Sequence, residues 1–300
     1  MSIYRNIEAN RRSTGLLMFL FILLVAGTVE VFALALGLGP EAAIVTMVLS
    51  SIFVLLSYRY SDRMVLAISE AREVTPQQNQ ELYRLVENLC IGAGLPMPKL
   101  YIINDTAPNA FATGRDPQHA TIVVTKGLLS KLEKLELEGV LAHELSHIRN
   151  YDIRLMSLVV MLVGLVALVA DFFLRWTWYG AGRRDRYRGK GEGAGGAILL
   201  AAALILAILV PIIAQALRFA ISRRREFLAD ASGALITRYP EGLALALEKI
   251  SRDKEPLEVA NKATAHLYIA NPLKDHTSWL NNLFSTHPPI EERIKALRSM

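Results

Sequence analysis

The sequence predicts an α-helical membrane protein, with four transmembrane helices and a mainly α, α+β polar domain containing a small sheet. Three observations predict it. Hydrophobic residues make up 52% of the 300-residue chain and the mean hydropathy is positive, as in bilayer-spanning chains. Four long stretches are nearly free of charge. The polar stretches between them carry both helical and strand patterns.

The first apolar run, 15–38, holds one charge, Glu30, in 24 residues, which is long enough to cross a bilayer. The second, 42–58, holds none and follows a short turn at Gly39-Pro40. The third, 155–174, holds only Asp171, and the fourth, 193–217, holds none. Arg11, Arg12 and the Ala33-x-Ala35 pair give the first run some features of a signal peptide. Its apolar length and the second run close behind it instead predict an anchor that stays in the chain.

These runs divide the chain into an N-terminal transmembrane hairpin (1–58), a first polar part (59–154), a second transmembrane pair (155–217) and a second polar part (218–300). Two spans separate the polar parts, so both emerge on one side and can build one site. Eleven arginines flank the spans on that side, among them Arg59, Arg154 and Arg223, and the positive-inside rule makes it cytoplasmic. The segment "RWTWYGAGRRDRYRGK" sets six basic residues on the other side. Either the eleven outweigh the six, or the third and fourth runs form a hairpin that does not cross; the first reading is adopted.

Lys and Arg total 33 against 28 Asp and Glu, and the arginines sit beside apolar runs. That distribution indicates contact with anionic lipid and excludes nucleic acid as the partner. The single cysteine, Cys90, rules out an internal disulfide and fits a reducing compartment. It lies on the apolar side of a predicted helix.

In the first polar part, Thr75-Pro76-Gln77-Gln78 predicts a helix start with Thr75 as N-cap and Gln78 closing a capping box. Leu82, Leu85, Val86 and Leu89 then recur at helical spacing until Gly92 and Gly94 end the helix. "KLYIIND" and "ATIVVT" read as strands, with "NAFATG" between them. A long helix follows from about Glu133 to Tyr151, its apolar face formed by Leu137, Val140, Leu141, Leu145 and Ile148.

That helix carries "VLAHELSHIRNYD". At 3.6 residues per turn His143 and His147 project from one face, where two imidazoles can reach one zinc ion at about 2.0–2.1 Å. Glu144 points to a neighbouring sector, suited to taking a proton from a water at the metal. A solvated helix face with two histidines is the plain alternative. The second polar part offers Glu226 and Asp230, one turn apart in "RRREFLADASGALI". A solvated face is the plain alternative, yet Phe227, Leu228, Ala229, Ala231 and Ala234 surround them with apolar residues. The reading adopted places Glu226 on zinc, with Asp230 accepting a hydrogen bond from the far nitrogen of a ligand histidine.

"HELSH", two spans, then "EFLAD" resembles the HtpX-like membrane zinc metalloproteases, relatives of the CAAX prenyl endopeptidases. "NAFATG" and "STHPPIEERI" match further motifs of that family, from about residue 70 to the end. The resemblance implies a zincin-like domain of gluzincin type, with one Zn2+ per chain on His143, His147 and Glu226 and with Glu144 as general base. It also implies cleavage of damaged or misfolded membrane proteins at the cytoplasmic face of the cell membrane, with polypeptides and the lipid bilayer as partners. On its strength, Asn109, Ala110, Phe111, Ala112, Thr113 and Gly114 are read as an edge strand that holds extended substrate. His287 and Arg293 are read as stabilising the oxyanion; alone, "HPP" is a turn and Arg293 a surface charge. The basic loop after the third span is longer than the family suggests.

Three other functions remain in view. One is CAAX-type processing. Another is an inactive zinc-binding scaffold, which would not need Glu144. The third is a transporter using Glu30 and Asp171, although four spans without a repeat do not fit one.

Overall fold

The computed structural model describes residues 8, 12–23, 25–27, 40–164, 223–260, 264–272 and 288–300. Of the predicted spans, 42–58 lies within these residues, 15–38 and 155–174 lie there in part, and 193–217 lies outside them. Among the described residues no helix is long and apolar enough to cross a membrane. The described fold is mainly helical with one small mixed sheet.

The chain divides into two units, one of residues 1–13, 60–157 and 219–300, the other of 14–59 and 158–218. The second unit contains helix α1 (Pro40–Arg59), whose large apolar side chains are exposed at Ile44, Val48, Leu49, Phe53 and Leu56.

In the first unit, α2 (Ser61–Ile68) precedes a four-stranded sheet. Its strands are β1 (Arg72–Glu73), β2 (Lys99–Ile103), β3 (Ala110–Gly114) and β4 (Ala120–Thr125), in the order β1-β2-β4-β3. β2 and β4 run parallel, with Tyr101 opposite Val123; β1 and β3 are antiparallel edges, with Ala112 opposite Ile122. The short β1 carries no periodic apolar signal and is absent from the sequence reading.

Helix α3 (Gln80–Ala93) begins later than its sequence suggests. Thr75 and Gln78 do bond, the Thr75 N–H donating to Gln78 Oε1 at 2.8 Å, but they close a turn. Asn79 is the N-cap, accepting from the Leu82 N–H at 3.1 Å. The helix ends on Gly94, at a left-handed φ of 65°.

After the short α4 (Lys126–Lys131) comes α5 (Lys134–Arg149), the helix with the histidines. It is buried without a break from Gly139 to Ile148, because α6 (Arg223–Thr237), α7 (Pro240–Arg252), α3 and β3 all pack on it. Two glycines allow that closeness. A Cβ on Gly139 would sit 2.6 Å from the Leu243 backbone nitrogen of α7, and one on Gly233 of α6 would sit 3.0 Å from the His143 nitrogen. α8 (Ile290–Arg298) closes the unit by packing on α7 and α6. α5 is therefore the axis of the core, and its polar residues are enclosed.

Candidate metal centre and active site

His143 and His147 stand one turn apart on α5, and their rings meet edge to face with centroids 4.7 Å apart. Their Nε2 atoms are 3.1 Å apart. Glu226, in the first turn of α6, brings Oε2 to 3.8 Å from His143 Nε2 and Oε1 to 3.5 Å from His147 Nε2. One ligand atom from each residue lies within 4.8 Å of the other two.

The donor set fits a zinc ion. Two nitrogens at about 2.0–2.1 Å from zinc in tetrahedral geometry lie about 3.3 Å apart, close to the observed spacing. The other ring nitrogens are committed to carboxylates, His143 Nδ1 at 2.9 Å from Asp230 Oδ1 and His147 Nδ1 at 3.0 Å from Asp152 Oδ2. With Nδ1–H donating in each ring, both Nε2 lone pairs face one point, an arrangement that a cation between them stabilises.

The surroundings are acidic. Among the described residues, Glu144, Glu226, Asp152 and Asp230 are all buried around this point, with the guanidinium groups of Arg225 and Arg293 beside them. Buried carboxylates in such a cluster favour a cation among them. Burial pushes His143 down to about 4, against the pull of Asp230. Burial also acts to lower His147, but the Asp152 hydrogen bond, Glu226 and Glu144 outweigh it and raise the ring to about 9. The two rings are therefore pushed in opposite directions, burial keeping the proton off His143 and the neighbouring carboxylates favouring one on His147.

Glu144 is buried beside this point. Burial pushes its carboxyl up to about 7, with Glu226 adding to the rise, while His147, Arg293 and a hydrogen bond from the Ala112 N–H act to lower it. A carboxyl raised towards neutrality is matched to taking and returning a proton.

The remaining sequence-derived residues fall in varied places. Asp230 faces His143, as Glu226 faces both histidines. Arg293 is fully buried, where its motif alone would make it a surface charge. Its Nε and Nη2 form a bidentate pair with Asp230 at 2.8 and 2.7 Å, and its Nη1 donates to the Ile269 carbonyl at 3.0 Å. Asp230 meets His143 at Nδ1, the nitrogen away from the metal point, so Arg293 supports that ligand through Asp230, and its Nη1 also lies 3.7 Å from Glu226 Oε2. The cause is electrostatic: a fully buried guanidinium must sit against a carboxylate, and Arg293 holds Asp230 down at about 2 despite its burial. His287 and His276 lie outside the described residues. His119 is exposed on Asp116, and His266 is buried with Nε2 3.3 Å from the Met156 carbonyl.

Asn109 to Gly114 run along and into β3, an edge of the sheet. Much of that edge is bonded to the chain itself. Asn109 Nδ2 donates to the Ala270 carbonyl at 3.2 Å, and the Ala110 carbonyl accepts from the Ile269 N–H at 3.0 Å. Phe111 packs edge-on to Tyr268 with centroids 4.9 Å apart. Thr113 and Gly114 bond to Ser157 Oγ at 3.0 and 3.3 Å. Of the six, Ala112 offers its N–H to the Glu144 carboxylate. Asn109 therefore serves the fold of its own chain more than an open groove.

Asp152 was not singled out from sequence. It stands inside "HELSHIRNYD", but nothing in a helical pattern directs residue 152 onto residue 147.

Comparison with known proteins adds an independent line. The model of peptidase family M48 matches residues 76–300. The chain is 46% identical over 297 residues to a "Protease HtpX homolog" of Dictyoglomus thermophilum, covering 99% of this chain and 94% of that one. It is 44% identical to a protein of the same description from Caldanaerobacter subterraneus subsp. tengcongensis, over 100% and 98% of the two chains. Among solved structures, S. mikatae Ste24p aligns with a TM-score of 0.49 at 19% identity; the alignment covers 94% of this chain and 62% of that one.

Proposed function

The chain belongs to peptidase family M48 and is a metalloprotease, and we propose that it is a membrane-embedded zinc endopeptidase acting on damaged or misfolded membrane proteins at the cytoplasmic face. The observation that carries this reading is the buried triad of His143, His147 and Glu226 with Glu144 beside it. When bound there, zinc supplies Lewis acidity and lowers the pKa of a water at the site. As the water oxygen bonds to the scissile carbonyl carbon and the C–N bond breaks, Glu144 would take the water's proton on its carboxylate and return it to the departing amine nitrogen. Ala112 steadies the carboxylate through its N–H. Asp230 and Asp152 hold the imidazoles in the tautomer that presents Nε2, and Arg293 holds Asp230.

The exposed apolar side chains of α1 support a membrane location. Apolar surface left in water costs about 25 cal/mol per Å2, and lipid removes that cost. The arginine distribution supports a cytoplasmic site with four spans. A cysteine placed at Ser130 in a Cys90→Ser background should resist an impermeant maleimide in intact cells and react after lysis. Reaction in intact cells would invert the topology.

The substrate reading is tested on purified enzyme in liposomes. It should cleave a co-reconstituted, destabilised membrane protein and spare the folded parent, with cleavage lost to a zinc chelator. Faster cleavage of a prenylated CAAX peptide than of the destabilised protein would favour a processing peptidase instead.

A further inference from the structure

We infer that Asp152 is a positioning residue for the metal ligand His147, an inference that rests on the zinc reading above. On a continuing helix, residue 152 would lie about 140° around the axis from residue 147 and could not reach it. The chain prevents that continuation. α5 stops at Arg149, Asn150 caps it with an N–H to the Ser146 carbonyl at 3.0 Å, and the Tyr151 N–H donates to the Ile148 carbonyl at 3.2 Å.

Tyr151 then adopts a φ of 59°, the left-handed region that few non-glycine residues occupy. A residue held in such a region is strained and persists only where its surroundings demand it. What the turn achieves is visible at the next residue. It lays Asp152 back over the helix end, with Oδ2 3.0 Å from His147 Nδ1 and the side chain only 1% exposed. The strained residue and the buried carboxylate thus serve one contact.

That contact has a chemical consequence for the ligand. Neutral imidazole carries one proton on either nitrogen, and only the Nδ1–H tautomer leaves Nε2 free to bind a cation. Asp152 accepts from Nδ1–H and so selects that tautomer, fixes the ring plane and raises the basicity of Nε2. Without it, His147 could carry its proton on Nε2, which lies 3.1 Å from His143 Nε2. The Asp152 charge is itself accompanied, since Arg225 Nη1 lies 3.7 Å from its Oδ1. Arg225 directly precedes the ligand Glu226, so one turn of α6 contributes to both shells around the metal point. Each histidine therefore has its own brace, Arg293–Asp230 behind His143 and Arg225–Asp152 behind His147.

The test uses the full-length protein in detergent, with zinc affinity read by competition against a chromogenic chelator and thermal stability read on the zinc-free protein. Asp152→Ala should bind zinc roughly ten- to a hundredfold more weakly, the usual loss when such a partner is removed. Asp152→Asn keeps an oxygen that accepts from Nδ1–H and should retain most of the affinity. Tyr151→Gly keeps the turn without the side chain and should bind zinc like the wild type. Should Asp152→Ala not accumulate as folded protein, Asp152→Ser, too short to span to Nδ1, carries the same expectation. The inference is overturned if the Ala or Ser variant stays within about twofold of wild-type affinity, or if Asn falls as far as Ala. A wild-type protein that binds no zinc would instead remove the zinc reading itself, which keeps the two failures apart.

Discussion

Glu226 and Asp230 stand one turn apart on α6, yet they meet opposite nitrogens of His143: Glu226 approaches Nε2 at 3.8 Å and Asp230 approaches Nδ1 at 2.9 Å. One helix face thereby supplies a carboxylate to each side of the same ring. The two acids should fail differently. Glu226→Ala removes a ligand and should lose most bound zinc. Asp230→Ala leaves the ligand set complete and should weaken zinc by roughly ten- to a hundredfold. Metal analysis of the purified variants decides it, and full occupancy in Glu226→Ala would mean that another residue is the third ligand.

Arg293 allows a sharper separation of roles. Its guanidinium is fully buried on Asp230, so Arg293→Ala leaves a carboxylate without its counter-ion in the core. Breaking a buried pair from one side typically costs about 3–5 kcal/mol. The expected result is a large drop in thermal stability accompanied by weaker zinc binding. Arg293→Lys, which keeps the charge but not the two-pronged geometry, should recover only part of both. A variant with wild-type stability and zinc content but a much lower kcat would assign Arg293 the oxyanion role expected from sequence.

The difference between those expectations and the structure follows from what each signal depends on. Helix periodicity alone places His143 and His147 side by side, and again separates Glu226 from Asp230 by one turn, so these groupings were legible in the sequence. β2 and β4 were legible for a similar reason, since their β-branched runs are local, whereas β3, AFATG, was read as a strand only through the family resemblance. Asp152 was not, because its placement depends on the left-handed φ of Tyr151, which no residue preference announces. The direction of Arg293 was hidden too, since its partner lies 63 residues away in sequence. β1 escaped because two residues, Arg72 and Glu73, hold it together only by pairing with Ile102 and Tyr101.

Close packing around α5 makes its glycines sensitive. A Cβ at Gly139 would press on the Leu243 backbone at 2.6 and 2.8 Å, where no flexible side chain can yield. Gly139→Ala should therefore cost about 1–3 kcal/mol, as overpacking does, despite the higher helix propensity of alanine. Gly233→Ala meets the His143 backbone at the looser distance of 3.0 Å and should cost less stability. It should nonetheless weaken zinc binding, because α6 carries Glu226 and must move away from His143. Paired melting curves and zinc titrations test both, and a neutral Gly139→Ala would contradict the packing described.

Cys90 offers a probe remote from the metal. Burial, aided by Glu87, pushes its thiol up to about 11. The sign is that of an acid whose neutral form is favoured, so at pH 8 the folded protein holds far less thiolate than a free cysteine of pKa near 8.5. Iodoacetamide at that pH should modify Cys90 at least about a hundredfold more slowly in the native protein than in urea. Equal rates would mean that α3 does not pack as described.

Glu144 tests whether the buried cluster performs catalysis or only binds metal. It is not one of the three converging residues, and its carboxylate is held by the Ala112 N–H among them, close enough to feel the charges of His147 and Glu226. Removing its basicity should therefore spare the metal. Glutamine has nearly the shape of glutamate and can keep the Ala112 bond through its carbonyl oxygen, but it cannot take up a proton at neutral pH. Glu144→Gln should bind zinc and melt like the wild type while hydrolysing almost nothing. General-base contributions are typically ~10²–10⁴-fold, so cleavage should fall by more than about a hundredfold. His143→Ala and His147→Ala form the contrast, since each should lose zinc and activity together. Zinc content and casein cleavage must be read on the same samples, because a variant that lost metal would be inactive for a different reason. If Glu144→Gln holds zinc and still cleaves at about a third of the wild-type rate or faster, proton transfer does not pass through this carboxylate, whose removal should cost at least about a hundredfold.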